Sequence, residues 1–280
     1  MSYVIHGATG AQGAPVVAVL AAAGKSVTAL TRNEDAVVAG ARVRAVDLLS
    51  AEPPIEAYRG AEGVFVHLPL GGEEDRLRYA HNVLAALNEA RPARVVFSTS
   101  GGTPPEMADA AVTTVVDGLR ESGLSHAVIA PRLFLENLLL PPVVGGAREE
   151  GVLRYPLGAD YAVSWASHLD VADAVAALFD RPDVTGTVEV GQVPGVTGPG
   201  LADAFAAHLG REVTYEALAP AAFGEVLAPL LGGGAAAGVA GLYAFLGTLP
   251  DNAIGSDRTA QRLLGLTPRT PVQWLAEIGA

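Results

Sequence analysis

The stretch that most constrains this chain lies at its start. Gly7, Gly10 and Gly13 follow directly on an apolar run at residues 3–6 and precede an Ala/Val-rich segment at 14–23. A strand that turns into a helix over so few residues needs backbone free of side chains at the turn, and the bare peptide groups then meet whatever sits at the helix N-terminus. An anion is favoured there, and a strand–glycine loop–helix of this spacing suits the pyrophosphate of a dinucleotide. Gly7, Thr9, Gly10, Ala11, Gln12 and Gly13 are therefore predicted to hold that group.

Such a loop needs a parallel sheet behind it, and the sequence supplies one. Short strand-like runs at 3–6, 27–30, 43–46, 64–68, 94–97 and 127–130 alternate with helical segments at 14–23, 34–39, 55–58, 76–90 and 107–122. Near-continuous apolar strands alternating with amphipathic helices predict an α/β fold, a Rossmann-type doubly wound parallel sheet covered on both faces. The pattern loosens after Pro131, where Pro141, Pro142, Gly145 and Gly146 read as a loop. A helix at 170–179 with Asp170 as N-cap, a helix at 201–209 and strands at 187–190 and 212–215 follow. The expected organisation is a dinucleotide-binding domain over 1–130. A smaller C-terminal α/β substrate lobe spans 131–280, with some elements returning to the sheet. No side chain from Val226 to Pro250 is charged, yet the stretch is rich in Gly and Ala, contains two prolines and has no Lys/Arg anchor at either end. It reads as buried helices, with 224–248 a candidate apolar lid over a ligand, rather than as a bilayer span.

Ligands of open α/β sheets sit at the carboxyl ends of the strands. Strand two ends on Thr31-Arg32-Asn33, where an NAD enzyme would usually carry an acidic residue for the ribose. Arginine cannot accept from a ribose hydroxyl, but its planar fork suits a 2′-phosphate, so Arg32 predicts NADPH over NADH. Asp47 and Leu48 follow strand three, where the adenine edge would lie. Leu68 and Pro69 follow strand four, Ser98, Thr99 and Ser100 close strand five, and Pro131 and Phe134 lie beside the expected nicotinamide.

Composition removes whole classes of chemistry. The absence of cysteine excludes disulfides, thiolate nucleophiles and Cys-ligated metals, and no metal cluster is visible among the carboxylates. A net charge of −12 argues against nucleic acid and anionic membranes as partners. No signal-peptide pattern opens the chain, so a cytoplasmic location is expected. Of the 18 basic residues only Lys25 is a lysine.

These segments resemble a known family. The loop 7–13, Thr31-Arg32-Asn33, Phe97-Ser98-Thr99-Ser100-Gly101, Pro131-Arg132-Leu133-Phe134-Leu135-Glu136-Asn137-Leu138, His168-Leu169-Asp170-Val171-Ala172-Asp173 and Leu264-Gly265-Leu266-Thr267-Pro268 look like the NmrA-like, atypical short-chain dehydrogenase/reductases. The resemblance covers essentially the whole chain. It implies a Rossmann domain, NADP(H) binding and a small substrate lobe. It leaves activity open among quinone reductases, ketoreductases, isoflavone-type reductases and non-catalytic redox sensors.

Short-chain reductases use a Tyr-x-x-x-Lys pair for proton delivery. Here Tyr79 and Tyr155 have Val83 and Ala159 four places on, and Lys25 precedes strand two. Ser100, with Thr99 beside it, matches the serine that polarises a substrate carbonyl. An alternative role for Ser98–Ser100 is to complete the turn and touch the ribose. His6 reads as core, His67 as a possible cofactor contact, and His126, His168 and His208 as turn or helix-start residues. Asn137, Tyr155, Tyr161, Trp165, Phe223 and Tyr243 are candidates for the wall of a substrate cleft, each equally able to be simple packing. Without a Tyr/Lys relay, hydride transfer needs a substrate that supplies its own proton. A quinone, or a ketone beside a phenol, qualifies, and such a route is a family-level property of atypical ketoreductases of aromatic polyketide antibiotic pathways. The expectation is an NADPH-dependent ketoreductase of an apolar aromatic, polyketide-like substrate. A non-catalytic sensor acting through a protein partner and a broad-specificity quinone reductase are the alternatives. Monomer and homodimer both remain open.

Overall fold

In the computed structural model, which describes residues 2–47, 49, 54–69, 71–101 and 109–280, the alternating runs wind into a sheet. The chain builds β1 (Ser2–Ile5), α1 (Gly13–Ala22), β2 (Val27–Thr31), β3 (Ala41–Ala45), α2 (Ile55–Tyr58), β4 (Ala61–His67), α3 (Glu73–Ala90), β5 (Val95–Ser98), α4 (Ala110–Glu121) and β6 (His126–Pro131). Next come β7 (Leu133–Phe134), α5 (Pro141–Gly145), β8 (Val152–Tyr155), β9 (Trp165–Ala166), α6 (His168–Asp180) and β10 (Gly186–Val190). The chain closes with α7 (Gly198–Leu209), β11 (Thr214–Ala217), α8 (Pro220–Leu231), α9 (Gly233–Leu246), α10 (Ala260–Leu264) and α11 (Pro271–Ile278). Two compact units result. One holds Met1–Pro131, His168–Val190 and Asp257–Leu266; the other holds Arg132–Ser167, Gly191–Ser256 and Thr267–Ala280.

The first unit is a seven-stranded sheet in the order β10-β6-β5-β4-β1-β2-β3. Every pairing in it is parallel. The winding reverses between β1 and β4, which makes a crevice at their carboxyl ends, the usual ligand position of this fold. Burial explains the order. Val64, Phe65 and Val66 of β4 and Val95, Val96 and Phe97 of β5 are 0% exposed, so they are central strands apolar on both faces. β3, with Arg42 and Arg44 exposed, is an edge. Tyr79, Val83 and Leu87 of α3 and Val115 and Leu119 of α4 pack one face. α1 and α6 pack together, and Phe179 of α6 stacks on Tyr3 of β1. Burying such side chains contributes about 1.5–3 kcal/mol each.

Arg94 is an exception to the aliphatic interior. It is 3% exposed, and its guanidinium donates to the carbonyls of Leu178, Arg181, Pro182 and Val184 and to Ser125 Oγ. It ties the turn from α6 into β10 to the root of β5, and burial pulls its pKa down from the ordinary range.

In the second unit β8 pairs with β11 and β7 with β9, both parallel. Trp165, Trp274, Tyr155, Phe205 and Phe223 are its largest fully buried side chains.

Four expectations are corrected. No helix forms at 34–39, because Asn33 Oδ1 accepts from Asp35 N at 3.0 Å and closes a turn instead. α6 begins at His168, so Asp170 lies in its first turn and not at the cap. The segment around Pro141 and Gly146 is not a loop. Prolines at the first helical positions start α5, which runs into a π-turn (Gly146–Glu150) ending at Gly151 with φ +72°. The uncharged stretch is two helices broken at Gly232, φ +81°, but their outer face is not buried: Val226, Leu230 and Leu231 are 40–50% exposed. Among the described residues no helix is long and apolar enough to cross a membrane. The start of the expected 107–122 helix falls outside the described residues; its described part begins at Ala110.

Candidate active site

The glycine loop joins β1 to α1 as a tight cradle. Gly10 N donates to Gly7 O at 2.7 Å, and Ala14 N to Gly10 O at 3.0 Å. Gly7 has φ +56°, and a Cβ on it would sit 2.4 Å from His67 Nε2; a Cβ on Gly13 would sit 2.2 Å from Gly7 O. Neither position admits another residue without displacing its surroundings. Thr9, Gly10 and Ala11 form the exposed crest, and α1 has neither an acidic residue in its first turn nor a side-chain cap on its amides. The positive end of the helix, with no acidic side chain or cap competing for it, fits a pyrophosphate.

The flanking strand ends differ in character. Arg32 is exposed, and its guanidinium meets no acceptor among the described residues. Asp47 Oδ1 accepts from Leu49 N at 2.9 Å, while Leu48 lies outside the described residues. Leu68 is 3% exposed and packs into the core under the sheet edge. Pro69 offers its carbonyl to Arg76 Nη1 at 2.7 Å. Arg76 also pairs with Asp109, the N-cap of α4, and so braces the segments that follow β4 and β5. Sequence reading missed this arginine, whose only signal is an Asp placed one residue before a helix.

Beneath the loop lie three imidazoles. His6 Nε2 bonds Tyr58 OH at 2.5 Å; burial, then the proximity of His67, holds the His6 pKa down to about 3. Burial also lowers His67, and burial followed by His67 lowers His168 to about 4. All three are neutral at pH 7, and burial keeps the Tyr58 phenol protonated as well.

At the end of β5 three hydroxyls have different assignments. Ser98, 1% exposed, donates to Gln12 Oε1 at 2.8 Å and accepts from Ser100 N at 3.2 Å, so it is committed to structure. Thr99 Oγ1 donates to Gly101 O at 2.8 Å. Ser100 Oγ accepts from Gln12 Nε2 at 2.9 Å and is only partly buried. Ser100 also has φ +62°, a left-handed conformation that costs a side-chain-bearing residue roughly 1–3 kcal/mol and collects at functional sites. Of the three, Ser100 has a hydroxyl proton that meets no acceptor among the described residues.

Lys25 serves elsewhere, with Nζ 3.3 Å from Asp180 and 5.5 Å from the Tyr3 ring centre. Pro131 ends β6 in the first unit and pairs with Val190 of β10.

The remaining candidates lie in the second unit. Phe134 is in β7. Tyr155, Trp165 and Phe223 are each 1% exposed and turn toward one another, with Tyr155 ring centres 5.6 Å from Trp165, 5.5 Å from Phe223 and 5.3 Å from Tyr243. They form an aromatic interior, the packing role that the sequence left open beside a cleft wall. The Tyr155 and Tyr243 hydroxyls bond each other, and the Asn137 side chain reaches both. Burial, then Tyr243, pushes the Tyr155 phenol well up, and burial pushes Tyr243 up to about 12. Tyr243 also borders a cavity of about 530 Å³ with Leu157, Leu218, Pro220 and Thr248. Tyr161 is half-buried, with a hydroxyl that lacks a partner.

Known proteins share this architecture. A nucleoside-diphosphate-sugar epimerase from Staphylococcus aureus superposes with a TM-score of 0.82 at 20% identity, over 98% of this chain and 99% of that one. The Citrobacter sp. triphenylmethane reductase complexed with NADP(H) gives 0.80 at 18% identity, over 98% and 99%. An NADPH-dependent quinone oxidoreductase from Escherichia coli, complexed with NADPH, gives 0.73 at 20% identity, over 99% and 100%. No relative among curated proteins matches the sequence. The model of the NmrA-like family matches residues 3–248, and this chain belongs to that family.

Proposed function

We propose that this protein is an NADPH-dependent reductase acting on a carbonyl or quinone of a flat, apolar aromatic molecule. The observation that carries the reading is Ser100: a strained serine at the carboxyl end of β5, its oxygen already accepting a bond and its proton without an acceptor among the described residues. A hydroxyl in that state donates to a carbonyl oxygen and stabilises the negative charge that grows there. Structural neighbours solved with NADP(H) and NADPH support the cofactor, as does the exposed Arg32 at the end of β2, whose guanidinium meets no acceptor among the described residues.

When bound, NADPH supplies the hydride. The loop 7–13 holds the pyrophosphate and Arg32 the 2′-phosphate. Asp47 and Pro69 border the rest of the cofactor, over a buried floor of Leu68, Ser98 and Pro131. Ser100, in preference to Thr99, orients and polarises the carbonyl. The protein provides no proton relay: Lys25 is engaged by Asp180, and the imidazoles at the loop are neutral. The substrate therefore provides the proton through an internal hydrogen bond or takes it from solvent. A ketone beside a phenol is the preferred substrate, and a quinone the next.

The test is NADPH consumption followed at 340 nm against a panel of aromatic ketones and quinones. Turnover of a phenol-flanked ketone well above its O-methylated analogue supports the reading. Tight NADP⁺ binding with no turnover of any panel member replaces it with a redox sensor.

A further inference from the structure

We infer that the Gln12 side chain is a positioning residue that directs the Ser100 hydroxyl proton outward, toward a substrate. The inference rests on Ser100 being the group that meets the carbonyl. Gln12, Ser98 and Ser100 close a ring of hydrogen bonds.

Ser98 and Ser100 have one hydroxyl proton each, and the Gln12 amide has one acceptor end and one donor end. Ser98 Oγ accepts from the Ser100 backbone N–H at 3.2 Å and sends its own proton to Gln12 Oε1 at 2.8 Å. That fixes which end of the amide faces Ser98, so Nε2 faces Ser100 Oγ, at 2.9 Å, and donates to it. With its oxygen accepting, Ser100 directs its proton away from the ring. A reversed amide would take the Ser100 proton for itself and remove the donor. Ser98 is thus the key that sets Gln12, and Gln12 sets Ser100. Gln12 is 7% and Ser98 1% exposed, so water competes little for these bonds, and a hydroxyl that accepts one bond becomes a stronger donor of the next.

The same residue belongs to the glycine loop. Gln12 precedes Gly13, the first residue of α1, yet its side chain makes no cap bond to the helix. One side chain thereby links the cofactor cradle to a hydroxyl 88 positions away in sequence. An apolar residue of similar length would fill the space but leave Ser98 and Ser100 free to pair with each other.

The test uses the full-length protein, NADPH at saturation and 9,10-phenanthrenequinone as the probe. Ser100→Ala is expected to lower kcat about 100-fold, as for loss of an oxyanion donor. Gln12→Met should lower kcat about 10- to 30-fold, read at NADPH concentrations that saturate each variant. In the Ser100→Ala background Gln12→Met should change kcat by less than about twofold, because the group it acts through is gone. Equal losses in both backgrounds overturn the inference and leave Ser100 in place. Gln12→Glu, whose carboxylate accepts from both serines, should fall as far as Ser100→Ala.

Should Gln12→Met fail to fold, Ser98→Ala removes the bond that orients the amide and should lower kcat about fivefold; full activity in that variant overturns the inference. A readout independent of turnover is the Gln12 side-chain amide resonance in the cofactor-free protein. It should be shifted and slowly exchanging, and it should move in both serine variants. No change on Ser100→Ala overturns the inference even if the protein reduces nothing, whereas absence of turnover by itself overturns only the reductase reading.

Discussion

Lowering the pH from 7 to 5 should destabilise the first unit steeply, and the histidines beneath the glycine loop set the size. His6 is buried neutral with a pKa near 3 and His168 near 4, against 6.5 for an ordinary imidazole. Between those values the unfolded chain binds protons that the folded chain refuses, so stability rises with pH across the window and falls as pH drops below 6.5. Integrating from pH 7 to 5, each histidine removes roughly 2 kcal/mol, about 4 kcal/mol together, a large part of an ordinary folding free energy of about 5–15 kcal/mol. His67, lowered in the same direction, adds to it. Paired carboxylates do not blur the result. Asp183 and Glu277 are held below their usual 3.8 and 4.5, so their contributions are lost at lower pH than this window. The measurement is urea unfolding at half-unit pH steps. It should be followed by far-UV circular dichroism, because Trp165 and Trp274 both lie in the second unit and their fluorescence reports on that unit. A change below about 1 kcal/mol, or an undiminished slope in the His6→Asn/His168→Asn double variant, would refute buried neutral imidazoles as the cause.

Three further substitutions test other parts of the architecture. Gly13→Ala puts a Cβ 2.2 Å from Gly7 O and should weaken NADPH binding at least about tenfold, measured by fluorescence titration, since the loop must open to admit it. Arg32→Ala should lose about ten- to a hundredfold in NADPH affinity with NADH nearly unchanged; equal loss for both removes the 2′-phosphate assignment. Arg94→Ala strips the donors from four carbonyls and Ser125 and should cost about 3–5 kcal/mol, seen as a Tm lowered by roughly 6–15 °C, with Arg94→Lys in between.

What the sequence disclosed follows from the range of the forces involved. β4 and β5 were legible because strands buried on both faces must be apolar throughout, and the glycine loop because its backbone admits no side chain. The turn at 33–35 was misread because a single Asn33 side-chain bond outweighs helical composition over six residues. Arg94 gave no sign of its role, since arginine is nearly always a surface residue and its five acceptors lie 31 to 90 positions away. The aromatics of the second unit illustrate a different limit. Tyr155, Trp165 and Phe223 are as suited to a cleft as to a core, and only the ring distances decide. The Gln12 contact to Ser98 and Ser100 was illegible for the same reason as Arg94: hydrogen bonds across the sheet leave no periodicity behind.

Burial moves the candidate proton donors of this chain in opposite directions, and the consequence reaches the pH dependence of catalysis. Phenols are pushed up, Tyr155 well above its ordinary value and Tyr243 to about 12, while imidazoles are pushed down, His6 to about 3 and His168 to about 4. Both shifts have one origin, the cost of charge in a low dielectric, and both leave the group uncharged through the neutral range. A Tyr/Lys reductase works by the opposite device, a cation that lowers a phenol's pKa toward pH 7, whereas the one lysine of this chain, Lys25, pairs with Asp180. What remains at the end of β5 is a serine hydroxyl, which donates a hydrogen bond without titrating. The kcat of the protein should therefore be flat from about pH 6 to 9 at saturating substrate, apart from any ionisation of the substrate itself. Two substrates with phenols of different acidity separate the cases. An inflection that moves with the substrate belongs to substrate-assisted protonation, whereas one that stays fixed between pH 6 and 9 for both identifies a titrating protein group and overturns the assignment of catalysis to Ser100 alone.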